Sequence, residues 1–271
     1  MYSNNFMGVR VYKALTFLLF SQLAVGGLWS ISLIPDEAGK SFFRFCTVIC
    51  GLLLGGSLLV AGPLPIATLT GLTVSLILTV ILFALILLDR LSIARRLLPL
   101  PALSGTAGLV WLGYLGAPVD WPAWVAISAA IYMIATALFL GSVIFAMALG
   151  HWYLVLPTLS IDPLRKLTKL MILSTVAKTT ILGLVLYLGA SSTVAEIAET
   201  VEGFGRLQGL LFWARSLFGL IGPIVICYMT WETVKLNATQ SATGLLYVGT
   251  IFVLVGETLS GFLYHTTHLP V

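Results

Sequence analysis

Charged residues are scarce in this chain. Asp, Glu, Lys and Arg together make up 9% of its 271 residues, whereas soluble domains carry about 25%. Hydrophobic residues make up 59%, and the mean hydropathy is +1.07. Because so few charges cannot cover a water-facing surface, this composition excludes a soluble globular domain and indicates a polytopic membrane protein.

Cysteine is also rare, and each of the three cysteines falls within an apolar run. Cys46 and Cys50 share a helix face, but two thiols do not complete the four-ligand site that structural zinc requires. We therefore expect free thiols and no metal site. The chain also lacks a phosphate-binding glycine loop, a nucleophile elbow and paired hydrolase carboxylates, so a self-contained hydrolase is not expected.

Long apolar runs dominate the sequence instead. A spanning helix needs about 20 apolar residues, and only helices satisfy the backbone of such runs in hydrocarbon. The first run exceeds the apolar core of a secretion signal, and no clean cleavage site follows it, so we interpret it as a spanning helix. The predicted fold is all-α with eight transmembrane helices: Val11 to Ile34, Phe42 to Ala61, Pro65 to Leu88, Leu98 to Ala117, Trp124 to Leu149, Leu167 to Leu188, Gln208 to Met229 and Ala242 to Tyr264.

The basic residues other than Lys178 and Arg215 are divided unequally between the two faces of the predicted bundle. One face holds only Arg10, Lys13 and Arg206. Basic loops face the cytoplasm, so the sequence predicts both termini outside, in a bacterial cytoplasmic membrane. The net charge of +4 then reflects cytoplasmic loops, and nucleic acid is not an expected partner. The basic residues of the other face are Lys40, Arg44, Arg90, Arg95, Arg96, Arg165, Lys166, Lys169 and Lys235.

Two segments of the chain resemble each other. Trp29 to Pro35 and Trp152 to Pro157 each end an odd-numbered helix with Trp, apolar residues and Pro, and basic residues follow both. We infer two four-helix halves, residues 1–120 and 121–271, which an axis along the membrane normal would relate. The first half has no charge at mid-helix and is interpreted as scaffold.

Three charged residues interrupt the last three helices. Lys178, Arg215 and Glu257 are all predicted to lie in the outer half of a bilayer core of about 30 Å. Because charges at this depth must be paired or hydrated, we expect the three to converge, with Glu257 paired to Arg215. A purely structural tie between helices is the alternative interpretation.

The surplus cation suggests a chemistry for this cluster. A residual positive charge beside tyrosine and glutamine suits a quinone headgroup, whose oxygens gain negative charge on reduction, with Glu257 exchanging the proton. We therefore predict Glu257, Arg215 and Lys178 as catalytic residues and quinone as cofactor, with binding by Tyr132, Gln208, Tyr264 and His265. A b-type haem is not expected, because no two histidines lie at one level on different helices.

One loop carries an amphipathic pattern. Val194, Ile197 and Val201 fall on one side of the segment that ends at Phe204, while its glutamates fall elsewhere. This spacing predicts a short helix on the membrane surface or under a partner, with a solvated loop as the alternative.

Helix count and duplication together resemble the quinone-reactive membrane subunits of respiratory oxidoreductases, of the polysulfide-reductase and dimethyl-sulfoxide-reductase anchor type. The resemblance implies a membrane subunit whose partners are lipids and other subunits of a redox complex, on the periplasmic side. No motif of that family matches residue by residue, so no functional position is carried over. A proton-coupled small-molecule transporter and a structural accessory subunit are the alternatives.

Overall fold

The structure is a computed structural model that describes residues 2–206 and 209–271, with side chains described from residue 11 onward. Every regular element in these ranges is helical, which confirms the all-α class. The α-helices are α1 (Tyr2–Ser32), α2 (Lys40–Val60), α3 (Ile66–Leu87), α4 (Leu91–Leu97), α5 (Pro99–Gly116), α6 (Ala123–Val155), α7 (Asp162–Ala190), α8 (Ala195–Phe204), α9 (Leu210–Ser216), α10 (Gly222–Lys235) and α11 (Thr239–Thr267).

Eight segments of the described chain are long and apolar enough to cross a membrane, so the prediction of an integral membrane protein with eight spanning helices is confirmed. Two of these segments are composite. The fourth consists of α4 and α5, and the break coincides with Pro99, which opens α5 at a position where the missing N–H breaks no helical hydrogen bond. The seventh consists of α9 and α10, joined by one turn of π-helix at Leu217–Ile221.

Helix α6 is the centre of the molecule and is the most buried of the eight segments. It packs against α1, α5, α7 and α11. The main chains of α6 and α1 approach each other closely, since a Cβ atom on Gly26 would collide with the carbonyl group of Ala137 and one on Gly141 would collide with Gly26. Small residues at such crossings let membrane helices meet without side chains between them.

The helices pack in two rings around this contact. The first ring runs α1, α2, α3, α5 and back to α1, and the second runs α6, α7, α10, α11 and back to α6. The two tryptophans of the predicted repeat differ in their partners: Trp29 donates to Thr106 of α5 and Trp152 donates to the carbonyl oxygen of Ala38, both at 2.9 Å. The internal duplication stays a prediction.

The two ends of the bundle differ in charge. The "basic face" is the end where α2, α7 and α11 begin, and it carries the pairs Lys40–Asp89 and Arg95–Asp36 at 2.8 and 2.6 Å. The hydrogen bond from Lys40 lowers the pKa of the exposed Asp89 carboxyl. The opposite end is called the "α8 face", after the helix that lies there. Which face is cytoplasmic stays a prediction.

Helix α8 confirms the amphipathic pattern. Ile197 and Phe204 are buried, whereas Glu196, Glu199 and Glu202 are exposed. Its apolar side packs on the end of α7, where a Cβ atom on Gly189 would lie 2.6 Å from Val201. Part of the predicted apolar side of α8 is therefore buried against the rest of the protein.

Candidate functional site

A salt bridge between Lys178 of α7 and Glu257 of α11 lies inside the second ring of helices. The two side chains are only 1% and 2% exposed. The Lys178 ammonium also lies 5.0 Å from the ring centre of Tyr132 and 5.1 Å from that of Phe139, both on α6. A desolvated cation over an aromatic face gains a favourable electrostatic interaction. Three helices therefore hold this one ammonium group.

Arg215 of α9 belongs to a neighbouring hydrogen-bond chain. Its side chain is fully buried, and one Nη donates to the hydroxyl of Tyr132 at 2.8 Å. The Tyr132 hydroxyl lies 2.7 Å from the hydroxyl of Ser260, which donates to the main-chain oxygen of Val271 at 2.6 Å. Because Ser260 uses its proton on Val271, Tyr132 donates to Ser260 and accepts from Arg215.

The predicted pairing of Glu257 with Arg215 is wrong, because Lys178 holds the carboxylate. The two residues lie at different distances from the α8 face. Arg215 lies about 8 Å from the start of α9 at the α8 face, while Glu257 lies about 15 Å from that face along α11. Arg215 is therefore nearer to the level of Ser260, one turn of α11 closer to the α8 face. Tyr132 connects the two groups, with its ring against Lys178 and its hydroxyl on Arg215.

Beside these charged residues, α11 packs closely against the seventh spanning segment, which consists of α9, the π-helical turn and α10. A Cβ atom on Gly256 would collide with Gly219, and one on Gly219 would lie 3.2 Å from the Cα atom of Gly256. Gly219 belongs to the π-helical turn that directly follows Ser216. Single turns of π-helix are frequent at functional sites, and here the turn changes the rotation of the helix immediately after Arg215.

A small "inner cavity" borders the carboxylate of Glu257, with a volume of about 10 Å³. Two residues in its wall carry a buried polar atom with no hydrogen-bond partner among the described residues: Glu257, through its second carboxylate oxygen, and Thr136, through its hydroxyl oxygen. The hydroxyl of Tyr264, a third lining residue, lies against Gly116 at the end of α5. The other lining residues are Leu18, Gln22, Tyr132, Met133, Ser260 and Gly261. The inner cavity is thus polar on the α11 side and partly apolar elsewhere.

A much larger "outer pocket" opens at the α8 face, with a volume of about 500 Å³. Its wall is mainly apolar, and Lys13, Tyr264, His265 and His268 supply polar groups. Tyr264 and Leu18 line both the outer pocket and the inner cavity, so they form the partition between them. The remaining lining residues are Ala14, Phe17, Gly62, Pro63, Leu64, Leu112 and Gly116.

A third space of about 520 Å³, the "basic-face pocket", lies at the other end of α6 and α11. Tyr153, Thr243 and Tyr247 line it. The Tyr247 hydroxyl lies 3.3 Å from Nδ1 of His151, at the rim of the protein. Helix α11 therefore borders a pocket near each face, with the Lys178–Glu257 pair between them.

The structure brings together most of the predicted site residues, in two groups. Lys178, Glu257, Arg215 and Tyr132 are in contact in the interior, and Tyr264 and His265 line the outer pocket. Gln208 lies outside the described residues. Nothing in the geometry tests the catalytic or binding roles of these residues, which stay predictions.

Several residues of the site were not predicted from the sequence. Gln22 and Leu18 of α1 reach the inner cavity, so the first half contributes to its wall without contributing a charge. Ser260 and Phe139 also contact the predicted residues directly. The spacing of Ser260 three residues after Glu257 placed it on the same helix face, but uncharged polar residues recur throughout these helices and gave no distinguishing signal.

The arrangement can hold charge and move a proton. The buried cluster contains two cationic side chains, Lys178 and Arg215, and one carboxylate, Glu257. It therefore carries one surplus positive charge. Intramembrane ionisable residues commonly mark ion pathways or proton relays. Within residues 2–206 and 209–271, no three His, Cys, Asp or Glu side chains are grouped closely enough to hold a metal ion. Comparison with protein-family models and with curated proteins gave no match for this chain.

Proposed function

We propose that this integral membrane protein is the quinone-binding subunit of a membrane redox complex, with the quinone in the outer pocket and Glu257 as its proton-exchanging group. The observation that carries the proposal is the position of Tyr264, which lines both the outer pocket and the inner cavity at Glu257. Only the side chains of Tyr264 and Leu18 line both spaces among the described residues, so they separate the apolar pocket from the cavity at the buried carboxylate.

The outer pocket fits the chemistry of a quinone. Ligand sites are mostly apolar, occupy about 300–1,000 Å³ and carry a few polar groups that fix orientation. The volume of about 500 Å³ falls in this range, and Tyr264, His265 and Lys13 supply the polar groups. A bound quinone would supply two-electron, two-proton redox chemistry, with its electrons exchanged through a partner chain.

The protein's own residues have separate parts in this proposal. The hydroxyl of Tyr264 and the imidazole of His265 would donate to or accept from the headgroup oxygens. Glu257 would take up or release the proton, and Lys178 and Arg215 would favour negative charge that develops nearby. The apolar wall at Phe17 and Leu112 would exclude water from the ring.

Binding of a short-chain quinone to the purified protein tests the pocket. Ala14→Trp places a large side chain in the outer pocket and is expected to weaken binding at least tenfold. Ala84→Trp is the matched control, because Ala84 is exposed on α3 and lies outside the pocket. Equal affinities of the two variants would contradict the proposed site.

A proton-coupled transporter is the second candidate function, and one observation favours it. The basic-face pocket and the outer pocket are both bordered by α11, with Glu257 between them. Carriers place their sites near the bilayer midplane between two such openings. Purification from native membranes separates the candidates: cofactor-bearing partner chains with bound quinone support the first, and a homo-oligomer without them supports the second.

A further inference from the structure

An open pocket of about 320 Å³ lies at the basic face, beside the short helix α4. Asp36, Ser92, Arg95 and Arg96 line it, and we call it the "arginine pocket". Two of these four side chains are cationic and one is anionic, so the wall of the pocket carries one net positive charge. A ligand with a single negative charge is therefore complementary to it.

The two arginines of this pocket differ in their partners. Arg95 donates to the carboxylate of Asp36 at 2.6 Å, and its guanidinium lies 5.8 Å from the ring centre of Phe43. Arg96 is exposed and makes neither a hydrogen bond nor an ion pair with any group that the structure describes. The guanidinium of Arg96 is thus available to a ligand from outside the chain, and its planar fork of donors matches the oxygens of a phosphate group.

The position of Arg96 along the chain places it at the level of lipid headgroups. The fourth spanning segment ends at Gly116, which lies about 30 Å from Arg96 at the helical rise of 1.5 Å per residue. The hydrocarbon core of a bilayer is also about 30 Å thick. Arg96 therefore lies where the hydrocarbon ends and the phosphate groups of the lipids begin.

Arg96 shares an exposed helix face with apolar residues that lie deeper in the bilayer. Leu98, which joins α4 to α5, has helical dihedral angles (φ −57°, ψ −33°), so the faces of the two helices are continuous. Leu100 and Leu103 follow Arg96 at helical spacing and are 47% and 53% exposed. Ser92 precedes Arg96 by one turn and is also exposed. This face therefore presents a hydroxyl, a guanidinium and two leucines in order of increasing depth.

We propose that the arginine pocket binds the phosphate group of an anionic phospholipid, whose acyl chains lie along Leu100 and Leu103. Arg96 donates to the phosphate oxygens, Ser92 supplies a further donor, and Arg95, oriented by Asp36, adds positive charge. Basic pockets at the ends of spanning helices bind anionic headgroups by the same chemistry. The site lies at the opposite end of the bundle from the outer pocket, so it does not depend on the quinone proposal.

Native mass spectrometry of the purified protein in a neutral detergent tests the site, because it counts bound lipids. We expect the wild-type protein to bind phosphatidylglycerol about tenfold more tightly than phosphatidylcholine with the same acyl chains, since charge-assisted hydrogen bonds contribute this much. Arg96→Gln should remove this preference and leave the binding of phosphatidylcholine unchanged. A wild-type protein without the preference would overturn the proposal.

Lys166→Gln is the matched control. Lys166 is another exposed cation of the basic face, makes no ion pair with a described residue and lies outside the pocket, so its replacement should leave the preference unchanged. Equal losses in both variants would show general attraction to the basic face and would overturn a specific site. Glycerol phosphate, added at the same concentration as the lipid, should displace none of it. Displacement would overturn the proposed contacts of the acyl chains with Leu100 and Leu103.

Discussion

Arg215 donates a hydrogen bond to the hydroxyl of Tyr132 at 2.8 Å and not to the carboxylate of Glu257. The guanidinium thus depends on a phenol for its only hydrogen bond among the described residues. Tyr132 in turn presents its ring to Lys178. One aromatic side chain therefore positions both buried cations.

Removing the Tyr132 hydroxyl should destabilise the protein. Tyr132→Phe keeps the ring against Lys178 but leaves a further buried N–H of Arg215 without a partner, which we expect to lower the free energy of unfolding by about 1–3 kcal/mol. Tyr153→Phe is the control, because its hydroxyl bonds a carbonyl at 2.8 Å but touches no charge. Thermal unfolding in detergent measures both variants, and equal losses would contradict a special role for the Arg215 contact.

The Lys178–Glu257 pair should show strong coupling. Glu257→Leu leaves Lys178 buried without its carboxylate and is expected to cost about 3–5 kcal/mol, as is typical when one partner of a buried pair is removed. Lys178→Met should cost a similar amount. The double variant removes both charges and should recover most of the loss, as measured by a double-mutant cycle. Additive losses would show that the two residues do not depend on each other.

The close approach of α11 to the π-helical turn should tolerate no side chain. Gly256→Ala places a Cβ atom against Gly219 and should force the helices apart, with a loss of about 1–3 kcal/mol. Gly183→Ala, which meets open space on α7, serves as the control and should be neutral or stabilising. Unfolding midpoints in detergent compare the two, and an unaffected Gly256→Ala variant would contradict the crossing.

The exposed pair at the basic face should give a small acid-side dependence of stability. Lys40 holds the pKa of the Asp89 carboxyl below its usual range. The stabilisation is therefore present above the unfolded-state pKa and is lost as the pH falls through the lowered, folded-state pKa. Asp89→Asn should flatten the dependence of stability on pH in the acid range. The slope of stability against pH near neutral pH should stay unchanged. A profile identical to that of the wild type would show that the pair contributes nothing.

Hydropathy and charge predicted much of this architecture. The length of each apolar run fixes the number of spanning helices, because a bilayer imposes one helix length on all of them. Depth counting also placed Lys178, Arg215 and Glu257 in neighbouring parts of three adjacent helices. Both arguments use only distance along the chain.

Distance along the chain could not identify the partner of Glu257. That choice depends on a difference of about one helical turn in depth and on the rotation of each helix, which the π-helical turn after Ser216 alters. Sequence also gave no sign of Gln22, whose contribution from α1 depends on how the two rings of helices pack together at Gly26 and Gly141.

The central claim is that Glu257 exchanges protons for quinone chemistry in the outer pocket. The most direct measurement is quinone-linked turnover of the complex purified from native membranes with Glu257→Gln, an isosteric change whose amide oxygen can still accept from Lys178. We predict that the complex assembles and that turnover falls at least a hundredfold, while Glu232→Gln, at an exposed carboxylate paired with Lys235, retains full turnover. An assembled Glu257→Gln complex that turns over normally would contradict the account.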